Sequence, residues 1–207
     1  MYLSRVALDI KKYESMKALY NLERLHGMVE RSFLGGRQRN LWRLDRLGGQ
    51  DYLLLLSPLP PQTNAVPDQI GYASSVWETK SYDKLLSRIA EGSKWYFRLT
   101  ANPTIATKMK KEKRGKVKAI TVVHKQKEWL MRQGTNKGFN LQDTQFDVVQ
   151  SEWRTIKKSS KEIQILAVTF EGLLTVTDKE AFCDTLVSGL GREKAYGMGL
   201  LTVVPNG

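Results

Sequence analysis

Two successive β-α-β-β-α-β patterns, one in each half of 207 residues, predict an α+β chain of two ferredoxin-like (RRM-like) units in tandem. Short runs of alternating apolar and polar residues supply the strands, segments with helical periodicity fall between them, and glycine or proline stands at most joints. The length slightly exceeds one typical domain and divides into residues 1–92 and 93–207.

In the first half, Tyr2 to Leu8 (YLSRVAL) alternates as an opening strand does. After a polar turn at Lys11 to Ser15, Leu19 to Phe33 reads as one helix. At about 100° per residue, Leu19, Leu22, Leu25, Val29 and Phe33 share one arc, and His26 falls at its border. Glu23 and Glu30 lie one turn to either side of that imidazole. Gly35-Gly36 marks the helix stop. Leu41 to Leu47 and Asp51 to Ser57 flank Gly48-Gly49 and read as a hairpin. The four prolines between Pro58 and Pro67 predict a surface loop without regular structure. Tyr82 to Ala90 fits a second crossover helix, with Val76 to Tyr82 as an alternative strand.

In the second half, Trp95 to Ala101 is a strand stopped at Asn102-Pro103, able to close the first sheet or open a second. Trp95, on a strand, reads as core. Lys108 to Lys118 holds seven basic residues and one acidic residue, an exposed loop or hairpin tip. Thr121 to Gln133 is helical, and His124 at its start reads as a surface residue. Phe139 to Val149 and Ile163 to Val176 are strands joined by a polar bend, SEWRTIKKSSKE, that presents Arg154, Lys157, Lys158 and Lys161. Asp178 caps a helix through Ala181, Leu186 and Val187, and a glycine-rich stretch leads into the last strand.

Composition narrows the function classes. Hydrophobic residues at 41% and charged residues at 26% describe a chain able to bury a core. Lys+Arg 33 against Asp+Glu 21 leaves a net charge of +12, so a polyanion, nucleic acid above all, is the expected partner. The longest apolar run, Tyr52 to Leu56, is strand-sized, and MYLSRVALDI lacks the uninterrupted apolar core of a signal peptide. No membrane contact and a cytoplasmic location are expected. The single cysteine, Cys183, excludes an intramolecular disulfide, and with only two histidines it cannot supply a zinc cluster of the usual kind. No cofactor or resident metal is expected, and a metal-dependent DNA nuclease lacks its clustered carboxylates.

Gly189, Gly191, Gly197 and Gly199 surround Lys194 in a loop whose backbone amides could approach phosphate. Because it runs from helix to strand, it is neither a dinucleotide fingerprint nor a P-loop. Together, MYLSRV, FRLTANP (Phe97 to Pro103), FEGLLTV (Phe170 to Val176) and GLGREKAYGMGLL resemble the CasE family, the CRISPR repeat endoribonucleases of type I-E systems, in order and over nearly the whole chain. The resemblance implies two ferredoxin-like domains, binding of the repeat RNA hairpin, cleavage at the 3′ base of that hairpin, and retention of the product crRNA within the Cascade complex. It implies that His26 is catalytic. A tyrosine commonly stands three residues before that histidine, where this chain has Glu23. Tyr20 lies nearby in sequence but about 120° around an ideal helix. Arg31 matches the family's basic residue that follows the histidine and is a candidate phosphate contact.

The chemistry such residues support is attack of a 2′-hydroxyl on the adjacent phosphate, giving a 2′,3′-cyclic phosphate and a 5′-hydroxyl. It needs alignment, cations and one titratable group rather than a metal. His26 fits either proton-transfer role, and Glu23 and Glu30 would bias it toward general acid. Arg154, Lys157, Lys158 and Lys161 are the principal candidates for RNA binding, with Arg98 and Lys194 secondary. The alternative reading is a non-catalytic RNA-binding subunit on the same fold.

Overall fold

The computed structural model describes residues 1–35, 38–107, 116–158 and 161–206. The first half runs β1 (Tyr2–Ala7), α1 (Tyr13–Tyr20), α2 (Leu22–Arg31), β2 (Leu41–Leu47), β3 (Gln50–Ser57), α3 (Ala65–Ile70) and β4 (Glu78–Ser81). Its strands form one antiparallel sheet in the order β2-β3-β1-β4. Gly48 (φ 57°) and Gly49 (φ 83°) make the two-residue connection between β2 and β3, where both positions require positive φ.

Both faces of this sheet are buried, which explains the unbroken leucines of β3. Leu53 and Leu55 pack with Val6, Leu22, Leu25, Met28 and Val29 beneath the helices. Leu54 and Leu56 turn the other way and join Leu41 in a core shared with the second half, which includes Phe97, Leu99 and Leu201.

Several expectations for this half need correction. The single helix from Leu19 to Phe33 is two helices, broken at Asn21, whose extended backbone (φ −126°, ψ 97°) and side-chain bond from the Glu23 amide start α2 anew. The supposed polar turn at Lys11 to Ser15 already contains the first turn of α1, fastened by Ser15 Oγ to the Ile70 carbonyl and by a Lys17–Glu14 pair. The expected stop at Gly35-Gly36 comes earlier, at Arg31, and Gly36 lies outside the described residues. Ser32 donates its hydroxyl to the Met28 carbonyl there. The proline-rich segment is a loop only until α3, where Pro67 occupies the first turn and its missing N–H costs no helical bond. That short helix is the second crossover. Of Tyr82 to Ala90, only Asp83–Leu86 (α4) is helical, while the alternative strand reading is met by β4.

The second half runs β5 (Lys94–Ala101), β6 (Thr104–Thr107), β7 (Lys116–Ala119), α5 (Val123–Thr135), β8 (Phe139–Asn140), β9 (Phe146–Lys158), β10 (Lys161–Val176), α6 (Lys179–Ser188) and β11 (Leu201–Pro205). Its sheet order is β11-β5-β10-β8, with β9 also on β10, all antiparallel. The sequence leaves open which sheet β5 joins, and it lies centrally in the second. Both sheets thus follow the ferredoxin-like strand order. Asp178 caps α6 as expected, accepting from the Ala181 amide at 2.9 Å. Most of the basic run from Lys108 to Lys118 lies outside the described residues; β6 and β7, paired with each other, flank it.

The polar bend between the long strands is the largest departure. Ser151 to Lys158 are β-strand, paired with Lys161 to Val168, so β9 and β10 extend beyond the β5 pairing as a two-stranded arm. Alternation is the physical reason: Arg154 and Ile156 share a face with Ile165 and Ile163, and that face buries Ile156, Ile165 and Ala167 on Met198.

A buried guanidinium joins the halves. Arg43 donates to both Asp45 carboxylate oxygens at 2.8 and 2.6 Å, to the Arg98 and Leu200 carbonyls at 2.9 and 2.7 Å, and to Thr202 Oγ1 at 2.8 Å. These bonds use all five of its N–H donors.

Candidate active site

The glycine-rich loop after α6 is fastened at several points. The Leu190 amide donates to the Gly199 carbonyl at 2.9 Å, the Gly199 amide to the Thr100 carbonyl at 2.7 Å, and Trp42 Nε1 to the Ala195 carbonyl at 3.1 Å. Gly197 adopts φ 77° against the Trp42 ring, where a Cβ would fall 2.6 Å from Cζ3. Between Trp42 and the arm, this path carries Tyr196 onto α2, its ring packed against both the first-half core and the Ile156–Ile165–Met198 cluster.

His26 lies half-buried on α2. Its ring meets Tyr196 edge-on, with centroids 6.1 Å apart at 65°. The Tyr196 hydroxyl donates to Glu23 Oε2 at 2.9 Å, one helical turn before the histidine. Burial, then the hydrogen bond to Glu23 and the charges of Glu23 and Glu193, push the Tyr196 phenol up to about 12. At neutral pH it is therefore a fixed donor. His26 Nδ1 is enclosed with no hydrogen-bond partner among the described residues, which leaves Nε2 as the nitrogen able to reach a bound molecule. Arg31 folds back one turn, its Nη1 3.3 Å from where a Cβ on Gly27 would stand, so the missing side chain at Gly27 leaves room for the guanidinium on the turn that carries His26.

The remaining predicted residues divide into three groups. Tyr20 does not join His26; it is 65% exposed beyond the Asn21 break, with Lys157 Nζ 4.9 Å from its ring centroid. Lys157 also pairs with Glu162 at 3.6 Å, and its pKa is raised by its contact with Tyr20 and the Tyr20 and Glu162 charges. Arg154 is held by Glu152 at 2.6 Å on the face of the arm that covers the loop. Neither residue lies at a hairpin tip, and the side chains of Lys158 and Lys161 fall outside the described residues. Arg98 and Lys194 have structural partners. Arg98 lies between Asp45, at 3.2 Å, and Glu171, and Lys194 donates to the Ser188 carbonyl at the end of α6 at 2.8 Å. Burial, with the charges of Arg39 and Lys137, lowers the Lys194 pKa. Trp95 is buried and His124 exposed, as the sequence predicts.

Two residues escaped the sequence reading. Asn21 accepts from the Lys157 amide at 3.3 Å and donates to its carbonyl at 3.5 Å, so the residue that starts α2 also ties it to the arm. Tyr196 is the other, and its only sequence signal is an aromatic residue inside a glycine loop. No group of three histidine, cysteine or carboxylate side chains comes together among the described residues, and none of their helices is long and apolar enough to cross a membrane.

A half-buried histidine at the seam of two ferredoxin-like units, beside a strand arm carrying cations, defines a basic tandem α+β protein. A family model described as CRISPR associated protein matches residues 1–205, and the chain belongs to that family. The CRISPR-associated endoribonuclease Cse3 of Thermus thermophilus is 30% identical, over 99% of this chain and all of its own length. The Cascade subunit CasE of Escherichia coli K12 is 30% identical over 74% of each chain. A solved structure of the Thermus thermophilus Cse3, bound to an RNA representing a pre-cleavage complex, superposes with a TM-score of 0.80 at 26% identity, over 99% of this chain and 98% of the other.

Proposed function

We propose that the protein is a metal-independent endoribonuclease that cuts CRISPR repeat RNA at the 3′ base of its hairpin, stays bound to the mature crRNA and joins the Cascade complex. The observation that carries this reading is His26, half-buried on α2 with Nδ1 enclosed, on the helix that carries Arg31 and that packs against a strand arm bearing Arg154 and Lys157. Near-complete coverage of a relative named as an endoribonuclease, and of one solved on a pre-cleavage RNA, supports it.

The 2′-hydroxyl attacks the adjacent phosphate in line, and the 5′-oxygen leaves, giving a 2′,3′-cyclic phosphate. His26 transfers a proton through Nε2, a task that imidazole performs more often than any other side chain. The Arg31 guanidinium neutralises charge on the phosphorane. Arg154, Lys157, Lys158 and Lys161 hold the RNA backbone, and residues 1–92 and 93–207 act as the two units between which the scissile phosphate lies.

The test incubates a CRISPR repeat hairpin with the protein in excess EDTA and identifies the product ends. Cleavage to a cyclic phosphate, lost in His26→Ala, is expected. An uncut repeat with the parent protein removes the enzyme reading, and sensitivity to EDTA removes its metal-free form. Continued cleavage by His26→Ala moves the active site elsewhere.

A further inference from the structure

A proton-transferring imidazole must be held in one orientation, and a hydrogen bond to the second ring nitrogen usually does this. His26 has no such bond at Nδ1 among the described residues. Its orientation therefore rests on packing, and the neighbour that packs on it is the Tyr196 ring. That ring is itself placed from two directions. Its face is wedged between the first-half core and the Ile156–Ile165–Met198 cluster, and its hydroxyl is tied to Glu23. The hydrogen bond spans 173 positions of sequence yet ends on the same helix as His26, three residues before it.

We infer that Tyr196 is a positioning residue for His26: its hydroxyl bond to Glu23 sets where its ring stands, and the ring edge sets the orientation of the imidazole. This rests on His26 being the proton-transfer group proposed above. It gives Glu23 the task of anchoring the phenol, in addition to any electrostatic influence on the imidazole. Through Tyr196 the active histidine also depends on the loop path that Gly197 and Trp42 enforce.

The experiment measures single-turnover cleavage of a bound repeat hairpin, together with the RNA dissociation constant. Tyr196→Phe keeps the ring and the fold but removes the anchor. A fall of about tenfold in the cleavage rate constant is expected, with the dissociation constant unchanged within about twofold. Glu23→Gln, whose amide oxygen still accepts from the phenol, should retain most of the rate, whereas Glu23→Ala should match Tyr196→Phe. The double variant Tyr196→Phe/Glu23→Ala should be no slower than either single variant, because both remove one interaction. Parent-like cleavage by Tyr196→Phe, or fully additive losses, overturns the inference. So does a loss confined to affinity or melting temperature, which is what a merely structural residue would show.

His26→Ala in the same assay separates the two claims. If it is inactive while Tyr196→Phe cleaves normally, only the positioning role falls; if it cleaves normally, the role of His26 falls first. Should the parent not cleave, the His26 ring-proton resonance in the free protein remains a readout. Tyr196→Phe must move it, and an unmoved resonance overturns the inference.

Discussion

Removing Arg43 is expected to destabilise the protein by about 3–5 kcal/mol, the range for stripping one partner from a buried ion pair. Side-chain exposure is 2% for both Arg43 and Asp45, so little water could replace the guanidinium. In Arg43→Met, Asp45 keeps Arg98, at 3.2 Å, as its one cation among the described residues, while the Arg98 and Leu200 carbonyls lose a donor at the junction of β2, β5 and β11. For a chain of this size the loss converts to roughly 6–20 °C in melting temperature. Thermal unfolding followed by circular dichroism measures it. Pairing the change with Asp45→Leu should recover much of the loss, because replacing a buried pair with apolar groups costs far less than breaking it. A shift below about 2 °C for Arg43→Met alone, or a double variant less stable than the single, would refute the reasoning.

Three further outcomes follow from the same contacts. Gly197→Ala adds left-handed strain and a Cβ 2.6 Å from Trp42, so a loss of about 2–4 kcal/mol in denaturant unfolding is expected, with cleavage falling because Tyr196 is displaced. Lys157→Ala should weaken RNA binding and flatten the plot of log affinity against log salt by somewhat less than one unit, while its exposed pair with Glu162 leaves folding stability nearly unchanged. The Tyr196 phenol, raised to about 12 from an ordinary value near 10, contributes stability that is full below pH 10 and is lost as pH rises through 12; ultraviolet titration should show a tyrosinate forming there that is missing in Tyr196→Phe.

Features with a local physical cause were legible in the sequence. Gly48-Gly49 specified a two-residue hairpin, and Asp178 supplied a side-chain acceptor at a helix start, so both were readable from a few adjacent residues. The split between α1 and α2 was not, because Leu22, Leu25 and Val29 continue the stripe and hide the cap that Asn21 makes. The arm was hidden for a related reason. Its charged residues look like a solvated bend, yet alternation and pairing with Lys161 to Val168 make them strand. His26 was visible as a histidine on a stripe, and the family resemblance marked it as the candidate. Its neighbour Tyr196 was not visible, since the contact exists only once the loop from the far end of the chain crosses onto α2. Arg98 and Lys194 show the converse limit: positive charge was readable, but their carboxylate and carbonyl partners were not.

The alternating leucines of β3 carry a consequence for how the chain must be made. Leu54 and Leu56 face the second half, so residues 1–92 expressed alone would present them to water together with Leu41 and an Arg43 guanidinium stripped of its Arg98, Leu200 and Thr202 acceptors. Each half is in this sense the other's chaperone. A fragment of either should be sticky and poorly soluble, and the repeated architecture, though it looks modular, must be synthesised and folded as one piece.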